Sequence, residues 1–431
     1  MGTRRAPARA KNKKQKYFID VFAGCGGLSL GLLNAGWQGV FAVEKNRDAF
    51  NTFAANLIHN RRFFDWPKWL PQKPHTTHRL LSKHGNELHG LRGKIDLLAG
   101  GPPCQGFSLA GRRIHSDPRN SLIKQYLQIV NKVQPRFLLF ENVQGFHYPF
   151  RKNGHGKEKT TPYSELIADE LESAGYKVFS DLVDFNFFGV PQSRRRFILI
   201  GVKKGDPALK KLEHKDPFRL LAEQRAGFLR SKRLRSGRPI AAKEAIFDLE
   251  TKGKSLIQST ESTIKAFKQI SYKKVSFPSR FLSLMRRNAP VNLDGLRLAR
   301  HSDSTVKYFK KIMTTCQLGK SLNDHDRERL DTKKQALTPL DPEAPAATVT
   351  TLPDDMIHYS EPRILTVREN ARLQTFPDWF KFTGPYTTGG KKRRLDCPRY
   401  TQVGNAVPPL FSEAIGRVLK SLVRKRAGPK K

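Results

Sequence analysis

The sequence predicts an α/β protein built on a mostly parallel, doubly wound sheet. Strand-like apolar segments alternate with helical ones in the first half of the chain. A glycine-rich loop separates the first strand from the helix predicted at 28–35, as in the opening unit of such a fold. Ligands of doubly wound sheets bind beyond the carboxyl ends of the strands. The predicted strands are 17–22, 39–43, 95–99, 136–140, 176–182 and 197–202.

The charge of the chain favours a polyanionic partner. Its 431 residues include 79 Lys and Arg against 38 Asp and Glu, a net charge of +41. That balance exceeds what solubility requires and indicates nucleic acid. No run of about 18 apolar residues is present, so we expect no membrane span and a cytoplasmic protein. Four cysteines without a C-x-x-C pair indicate neither a disulfide framework nor a thiolate zinc site.

The segment at 60–90 interrupts the alternation of strands and helices. It carries prolines, aromatic and basic residues and four histidines, and we interpret it as an insertion loop. The histidines lack the spacing of a tetrahedral ligand set, so we predict no metal site. Those histidines are His75, His78, His84 and His89.

The loop after the first strand has the composition of a nucleotide site. It reads Ala23-Gly24-Cys25-Gly26-Gly27, and Glu44 ends the second strand, where a carboxylate can accept hydrogen bonds from a ribose. The pattern is not G-x-G-x-x-G, which argues against a dinucleotide. A nucleoside bearing an amino acid, such as S-adenosylmethionine, fits better.

The run that ends the third strand presents a cysteine on a stiff turn. Two prolines precede Cys104, and such a turn can expose a thiolate nucleophile, although a buried core cysteine is the alternative. Glu141 follows the next strand and is expected at the same edge. Alternation points Arg194 and Arg196 to one side, where they could orient an anion or a carbonyl, or form ordinary surface ion pairs.

Taken together, the order of these blocks resembles the DNA (cytosine-5) methyltransferase family of bacterial restriction-modification systems. The resemblance covers about residues 17–204 and 343–416. The matching blocks are Phe22-Ala23-Gly24-x-Gly26-Gly27, Gly101-Pro102-Pro103-Cys104-Gln105-Gly106-Phe107-Ser108, Glu141-Asn142-Val143, Gln192-Ser193-Arg194-Arg195-Arg196, Arg368-Glu369-x-x-Arg372-Leu373-Gln374-x-Phe376-Pro377 and Gln402-Val403-Gly404-Asn405-Ala406-Val407-Pro408.

The resemblance implies a covalent mechanism on a flipped-out cytosine. Cys104 would add to carbon-6, while Glu141 would bind or protonate nitrogen-3 and hold the amino group. Arg196 would hold the ring carbonyl oxygen, and Arg194 would help to position the thiol and the sugar-phosphate. The segment 106–120 is expected to close over the base as a lid.

The resemblance also implies the cofactor residues of an S-adenosylmethionine site. One position departs from the family pattern, because Asn86 stands where relatives usually carry an aspartate. Arg368, Glu369 and Arg372 are expected to have structural roles. The predicted cofactor residues are Phe22, Ala23, Gly24, Gly26, Glu44, Asn86, Leu122, Asn405 and Ala406.

The implied architecture is a Rossmann-like methyltransferase sheet with a smaller, basic target-recognition domain. A disordered basic arm is expected at 1–16 and a basic tail at 424–431. The catalytic and cofactor-binding domain would span 17–204, the recognition domain 205–398, and the segment 399–423 would return to complete the catalytic domain.

The sequence therefore predicts a site-specific methyltransferase that acts as a monomer on double-stranded DNA. It would be the modification enzyme of a restriction-modification system, whose endonuclease shares the site without direct contact, and it would associate with the nucleoid. The long basic interval at 203–340 favours DNA over the alternative substrate, transfer RNA. A catalytically silent DNA-binding regulator and an oxidoreductase are the other readings.

Overall fold

The computed structural model describes residues 15–59, 61, 63–102, 120–149, 161–262, 264–387 and 396–423. Several predicted features therefore lie outside the described residues. These are Cys104, nearly all of the predicted lid, most of the basic arm and the basic tail.

The central sheet contains six strands in the order β2-β1-β3-β4-β6-β5. The first four strands of this order are parallel, and β6 runs antiparallel to both of its neighbours. The prediction of a mostly parallel sheet is therefore confirmed. The strands are β1 (Tyr17–Val21), β2 (Gln38–Val43), β3 (Leu97–Gly100), β4 (Phe137–Val143), β5 (Tyr176–Asp184) and β6 (Arg195–Lys203).

Helices cover both faces of this sheet. Alternate strand residues enter two separate hydrophobic clusters: Phe18 and Phe137 face one, while Ile19 and Leu138 face the other. This confirms the doubly wound arrangement. The helices of this half are α1 (Gly27–Asn34), α2 (Arg47–Phe53), α3 (Thr77–Lys83), α4 (Gly85–Gly90), α5 (Asn120–Val133) and α6 (Tyr163–Ser173), and a π-helical segment (Ala54–His59) extends α2.

The interpretation of 60–90 as an insertion loop is wrong for residues 77–90, which form α3 and α4. Thr76 caps α3 by accepting a hydrogen bond from the Arg79 N–H at 3.1 Å. Leu80 and Leu88 are buried in the same cluster as Tyr126 of α5. The two helices are thus part of the crossover from β2 to β3, and the burial of these leucines outweighs the polar composition between them.

The second half of the chain forms short elements and then returns to the sheet. Its helices are α7 (Ala208–Lys211), α8 (Pro217–Ser231), α9 (Ala242–Ile246), α10 (Arg280–Met285), α11 (Asp303–Thr315), α12 (Asp324–Arg329), α13 (Val367–Leu373), α14 (Arg399–Asn405) and α15 (Pro409–Leu422). Its strands are β7 (Leu256–Gln258), β8 (Lys268–Ile270), β9 (Thr338–Pro339) and β10 (Met356–Ile357). Within the described ranges, no helix is long and apolar enough to cross a membrane.

The last helix packs directly on the first. The Trp37 indole N–H donates to the carbonyl of Gly416 at 2.9 Å. A Cβ at Gly31 would overlap the Ser412 side chain and lie 2.5 Å from the carbonyl oxygen of Pro409. The helices α1 and α15 therefore approach as closely as a glycine allows, and the C-terminal segment completes the layer that covers β1.

Candidate active site

The end of β3 brings the chain that leads to Cys104 against Glu141. Gly100 lies opposite Phe140 in the parallel pair formed by β3 and β4. A Cβ on Gly101 would lie 3.2 Å from Oε2 of Glu141 and 3.1 Å from its carbonyl oxygen. The prediction that the two strand ends are neighbours is confirmed, and the glycine is what lets the backbone pass beside the carboxylate.

The reversed direction of β6 brings Arg196 to the same edge. Arg196 lies opposite Val143 in the antiparallel pair, and its Nε is 3.3 Å from Oε1 of Glu141. The Glu141 and Arg196 side chains keep 14% and 15% of their surfaces exposed, so the pair retains a side open to a ligand. In a fully parallel sheet, a residue that begins a strand would lie at the opposite edge.

Burial raises the pKa of Glu141 above its ordinary value of 4.5. The positive charges of Arg196 and Arg194 act in the opposite direction, but the loss of solvation is the larger effect. The carboxyl group therefore holds a proton more readily than a solvated glutamate does, as a proton donor or a hydrogen-bond donor to a ring nitrogen requires.

Arg194 is buried, with 3% of its surface exposed, and its guanidinium contacts the returning chain. It donates to the carbonyl oxygens of Val349 at 3.0 Å, Gly404 at 3.1 Å and Ala406 at 3.3 Å. Burial and the neighbouring Arg196 lower its pKa well below the ordinary value. Through these contacts Arg194 holds the chain at Val349 and the end of α14 beside the site. Its role in positioning the thiol stays a prediction.

The loop after β1 forms a cradle that is open at Gly24. Phe22, Gly24 and Gly26 all have positive φ, and a Cβ at Gly24 would have no atom within 4 Å. Both oxygens of Glu44 accept backbone N–H bonds, from Gly24 at 2.9 Å and from Asn46 at 2.7 Å. The loop and the carboxylate at the end of β2 are therefore held together beside open space, which fits a nucleoside ligand.

The two ends of the chain meet at this cradle. A Cβ on Gly27 would lie 3.3 Å from the Cβ of Ala406. Ala406 is buried, whereas the preceding Asn405, at the end of α14, is exposed. The structure thus brings Asn405 and Ala406 to the glycine loop, and their function as cofactor residues stays a prediction.

The structure does not bring Asn86 to the other predicted cofactor residues. Asn86 is exposed in the first turn of α4, and a Cβ on the preceding Gly85 would lie 3.3 Å from Nζ of Lys132, in the last turn of α5. Leu122 lies in the first turn of α5, about 15 Å from Lys132 along the axis of that helix. The assignment of Asn86 rested on a two-residue match, which cannot fix a position within a folded crossover.

The chain segment at 75–77 connects Glu44 with the first half of α5. The N–H of His75 donates to the carbonyl oxygen of Glu44 at 2.9 Å, and the Thr77 hydroxyl donates to Oε1 of Gln125 at 2.5 Å, one turn from Leu122. The sequence analysis did not predict these contacts. Two consecutive threonines before a leucine-containing helical run are an N-cap pattern, and that pattern could have located the start of α3.

Arg368, Glu369 and Arg372 of α13 have the structural contacts that were expected. All three are fully buried. Arg372 donates to both oxygens of Asp378 at 2.9 Å and pairs with Asp248 at 2.5 Å, which ties α13 to the segment that follows α9. These bonds hold the returning chain rather than a substrate.

The sheet order, the glycine cradle and the buried carboxyl at the edge of β4 together define a Rossmann-like methyltransferase. The solved structures of two proteins share this fold. A prophage-encoded E. coli protein matches with a TM-score of 0.59 and 24% identity over 95% of this chain and 99% of that chain. The Entamoeba histolytica methyltransferase EhMeth matches with a TM-score of 0.53 and 13% identity over 96% and 100%.

The chain belongs to the C-5 cytosine-specific DNA methylase family, whose profile matches residues 17–421. Type II methyltransferase M.DdeI of Desulfomicrobium norvegicum is 29% identical over 92% of this chain and 86% of its own. Type II methyltransferase M.XorII of Xanthomonas oryzae pv. oryzae is 30% identical over 95% and 86%. The predicted family, fold class and enzyme class are confirmed.

Proposed function

We propose that this protein methylates carbon-5 of a specific cytosine in duplex DNA, with S-adenosylmethionine as methyl donor. The observation that carries the proposal is the pairing of Glu141 with Arg196 at the sheet edge, beside Gly101, where the chain enters the run that contains Cys104. Relatives that match most of the chain are named type II methyltransferases, which supports a role in a restriction-modification system.

The chemistry requires a nucleophile and a proton donor close together. Carbon-5 of cytosine is a weak nucleophile, so the Cys104 thiolate first adds to carbon-6 and pushes electron density toward nitrogen-3. The proton of Glu141 neutralises that nitrogen, and carbon-5 then accepts the methyl group. Loss of the carbon-5 proton and elimination of the thiol release 5-methylcytosine. The raised pKa of Glu141 suits this task because the carboxyl must carry its proton at the moment of addition.

The arginines organise the ring and the site. Arg196 would donate to the carbonyl oxygen of the cytosine, from its position beside the Glu141 carboxyl. Arg194 acts behind it as a positioning residue, since its guanidinium binds the carbonyls of Val349, Gly404 and Ala406. Loss of Arg194 would thus loosen the cradle and the catalytic edge together.

The cradle fits the methyl donor. S-adenosylmethionine, when bound, supplies an electrophilic methyl group on a sulfonium. Phe22, Ala23, Gly24 and Gly26 would surround its methionine part, Glu44 would hold the ribose hydroxyls, and Leu122 would contact the adenine. Asn405 and Ala406 would close the site from the other end of the chain. The open space at Gly24, where any side chain would intrude, supports this assignment.

The target base must be accessible to Glu141, and the basic residues must be able to contact DNA. These two requirements support the proposed substrate and domain boundaries. A cytosine within the duplex must be flipped out to reach Glu141, and the segment 106–120 would close over it. The domain boundaries remain those proposed from the sequence, with 205–398 as the recognition domain and 399–423 as the returning segment. The protein would act as a monomer in the cytoplasm, and a cognate endonuclease would recognise the same site independently.

Incubation with tritiated S-adenosylmethionine tests this function. Duplex DNA and bulk RNA are offered separately, and the label is expected in DNA alone, at carbon-5 of cytosine after digestion to nucleosides. Label that enters only RNA would show a transfer-RNA enzyme. DNA binding without any transfer of label would show a silent regulator.

A further inference from the structure

The outer strand of the small β7 and β8 sheet is exposed to solvent. All three residues of β7 are exposed, including Leu256 at 49% and Ile257 at 43%. The inner strand is covered, because Ile270 is buried and Gln269 forms an isolated bridge with Arg297. An outer strand with exposed apolar side chains is an association hazard unless a partner covers it.

A buried carboxylate fixes the start of this segment. Oε1 of Glu361 accepts three hydrogen bonds: from the Thr251 N–H at 2.6 Å, the Thr251 hydroxyl at 2.8 Å and the Lys252 N–H at 3.1 Å. The start of the β7–β8 ribbon, a name used here for residues 251–270, is therefore held in one position against the body of the protein. Such preorganisation lowers the entropic cost of binding.

A second carboxylate fixes the turn of the ribbon to the start of α14. Glu261 accepts from the Tyr386 hydroxyl at 2.5 Å and pairs with Arg399. Arg399 begins α14, and Asn405 ends it, about 9 Å further along the axis. The ribbon is thus tied to the helix whose far end binds Arg194, two residues before Arg196 of the proposed catalytic edge.

The side chains of the ribbon suit base edges. Gln258 lies directly opposite Lys268 in the antiparallel register, so both side chains project from one face, and both are exposed. Glutamine pairs with adenine and lysine with guanine in the major groove, while apolar side chains contact thymine methyl groups. Lys252 and Lys265 are also exposed and provide positive charge for phosphates.

We propose that the β7–β8 ribbon enters the major groove beside the target cytosine and that Gln258 and Lys268 read neighbouring bases. This inference rests on the proposed function, because it requires duplex DNA as substrate. The groove is about 12 Å wide and admits a two-stranded ribbon. Leu256, two residues before Gln258 and on the same face of the ribbon, would then leave water against the DNA.

The test is the methylation profile of a DNA library in which the bases around the target cytosine are randomised. Wild type, Gln258→Ala and Lys268→Ala are compared by bisulfite sequencing. Each variant is expected to relax discrimination at one base position by about 5-fold to 100-fold, while the other positions stay unchanged. Lys94→Ala is the matched control: Lys94 is exposed and precedes β3, at the sheet edge opposite the site, so its profile should equal that of wild type.

The outcomes separate this inference from the proposed function. If wild type leaves the library unmethylated, the proposed function fails. If wild type methylates and folded Gln258→Ala and Lys268→Ala variants keep its discrimination, the ribbon does not read DNA. A wild-type dimer that Ile257→Lys dissociates would likewise overturn the inference, since the outer strand would then pair with a second copy.

Discussion

At the scale of single residues, the site pairs the largely buried Glu141 carboxyl with the Arg196 guanidinium. The positive charge of the arginine only partly offsets the effect of burial on the pKa of the carboxyl. Burial raises the pKa of Glu141, and the Nε of Arg196 at 3.3 Å only reduces that rise. The carboxyl group therefore gives up its proton less readily than a solvated glutamate does, and the chain that leads to Cys104 passes beside it. The carboxyl group lies at the end of β4, beside the parallel strand β3, after which the sequence continues toward Cys104.

Glu141→Gln should lower single-turnover methyl transfer by about a hundredfold to ten-thousandfold, because an amide cannot give its proton to nitrogen-3. The wild-type rate should fall as the pH rises through the raised pKa of Glu141, since the ionised carboxylate is no longer a donor. The variant should lose this fall while it binds S-adenosylmethionine normally. A variant with the wild-type rate and pH profile would remove Glu141 from the mechanism.

Asp20 gives a second pH effect, on stability rather than on rate. It is buried in β1, where the Ser29 hydroxyl donates to it at 2.6 Å, and burial raises its pKa from 3.8 to about 7. Between these pH values the folded protein holds a proton that the unfolded chain has released. The contribution to the free energy of unfolding is therefore complete below pH 3.8 and is lost as the pH rises to about 7.

Asp20→Asn should abolish that dependence. The free energy of unfolding of wild type, relative to the variant, should decline by up to about 4 kcal/mol between about pH 4 and pH 8. Denaturant titrations of both proteins across this range provide the measurement. Parallel stability curves for the two proteins would contradict the raised pKa.

At the scale of elements, the contact of α1 with α15 determines how the C-terminal segment covers the sheet. Gly31→Ala should destabilise the protein by about 1 to 3 kcal/mol, because the new methyl group would overlap Ser412. Gly227→Ala is the matched control within helix α8. A Cβ there has no atom within 4 Å, so the substitution should stabilise by about 0.5 to 1 kcal/mol.

Thermal and denaturant unfolding of the two glycine variants measure this difference. Both substitutions gain the same helix propensity. The difference between the free energies of unfolding of the two variants therefore reports the packing of α1 on α15 alone. Equal stabilities for the two variants would show that α15 does not pack as closely as described.

The sequence pattern did not predict the direction of β6. Hydrophobic runs predicted each of the six strands, and a carboxylate after one strand and a cysteine after its neighbour predicted the edge. The direction of a strand depends on its connection, and only ten residues, 185–194, join β5 to β6. Such a connection is too short for a crossover helix and permits only an antiparallel return.

Packing in the tertiary structure explains where the sequence prediction and the structure differ. The histidines and prolines of 60–90 predict a loop, yet Leu80 and Leu88 fold the segment into helices against α5. Asn86 was identified by local similarity and lies exposed in α4, and its role at the adenine stays a prediction. The contact of Arg194 with Val349 joins residues 155 positions apart, and no local pattern contains that information.

At the scale of the whole molecule, the charge of +41 should dominate DNA affinity. If the protein neutralises about six to ten phosphates, affinity should fall by about a thousandfold or more between 50 and 200 mM salt. Titrations of a labelled duplex at several salt concentrations measure the slope. A salt-independent affinity would mean that the basic residues of 205–398 do not contact the backbone.

The most direct test of the account is a covalent trap. A duplex with 5-fluorocytosine at the target position cannot lose its carbon-5 substituent as a proton, so the thiol cannot be eliminated after methyl transfer. With S-adenosylmethionine present, we expect a stable adduct of protein and DNA, and peptide mapping should place the link at Cys104. The Cys104→Ala protein should form none. Methyl transfer by a folded, cofactor-loaded protein without any adduct, or an adduct at another residue, would contradict the mechanism.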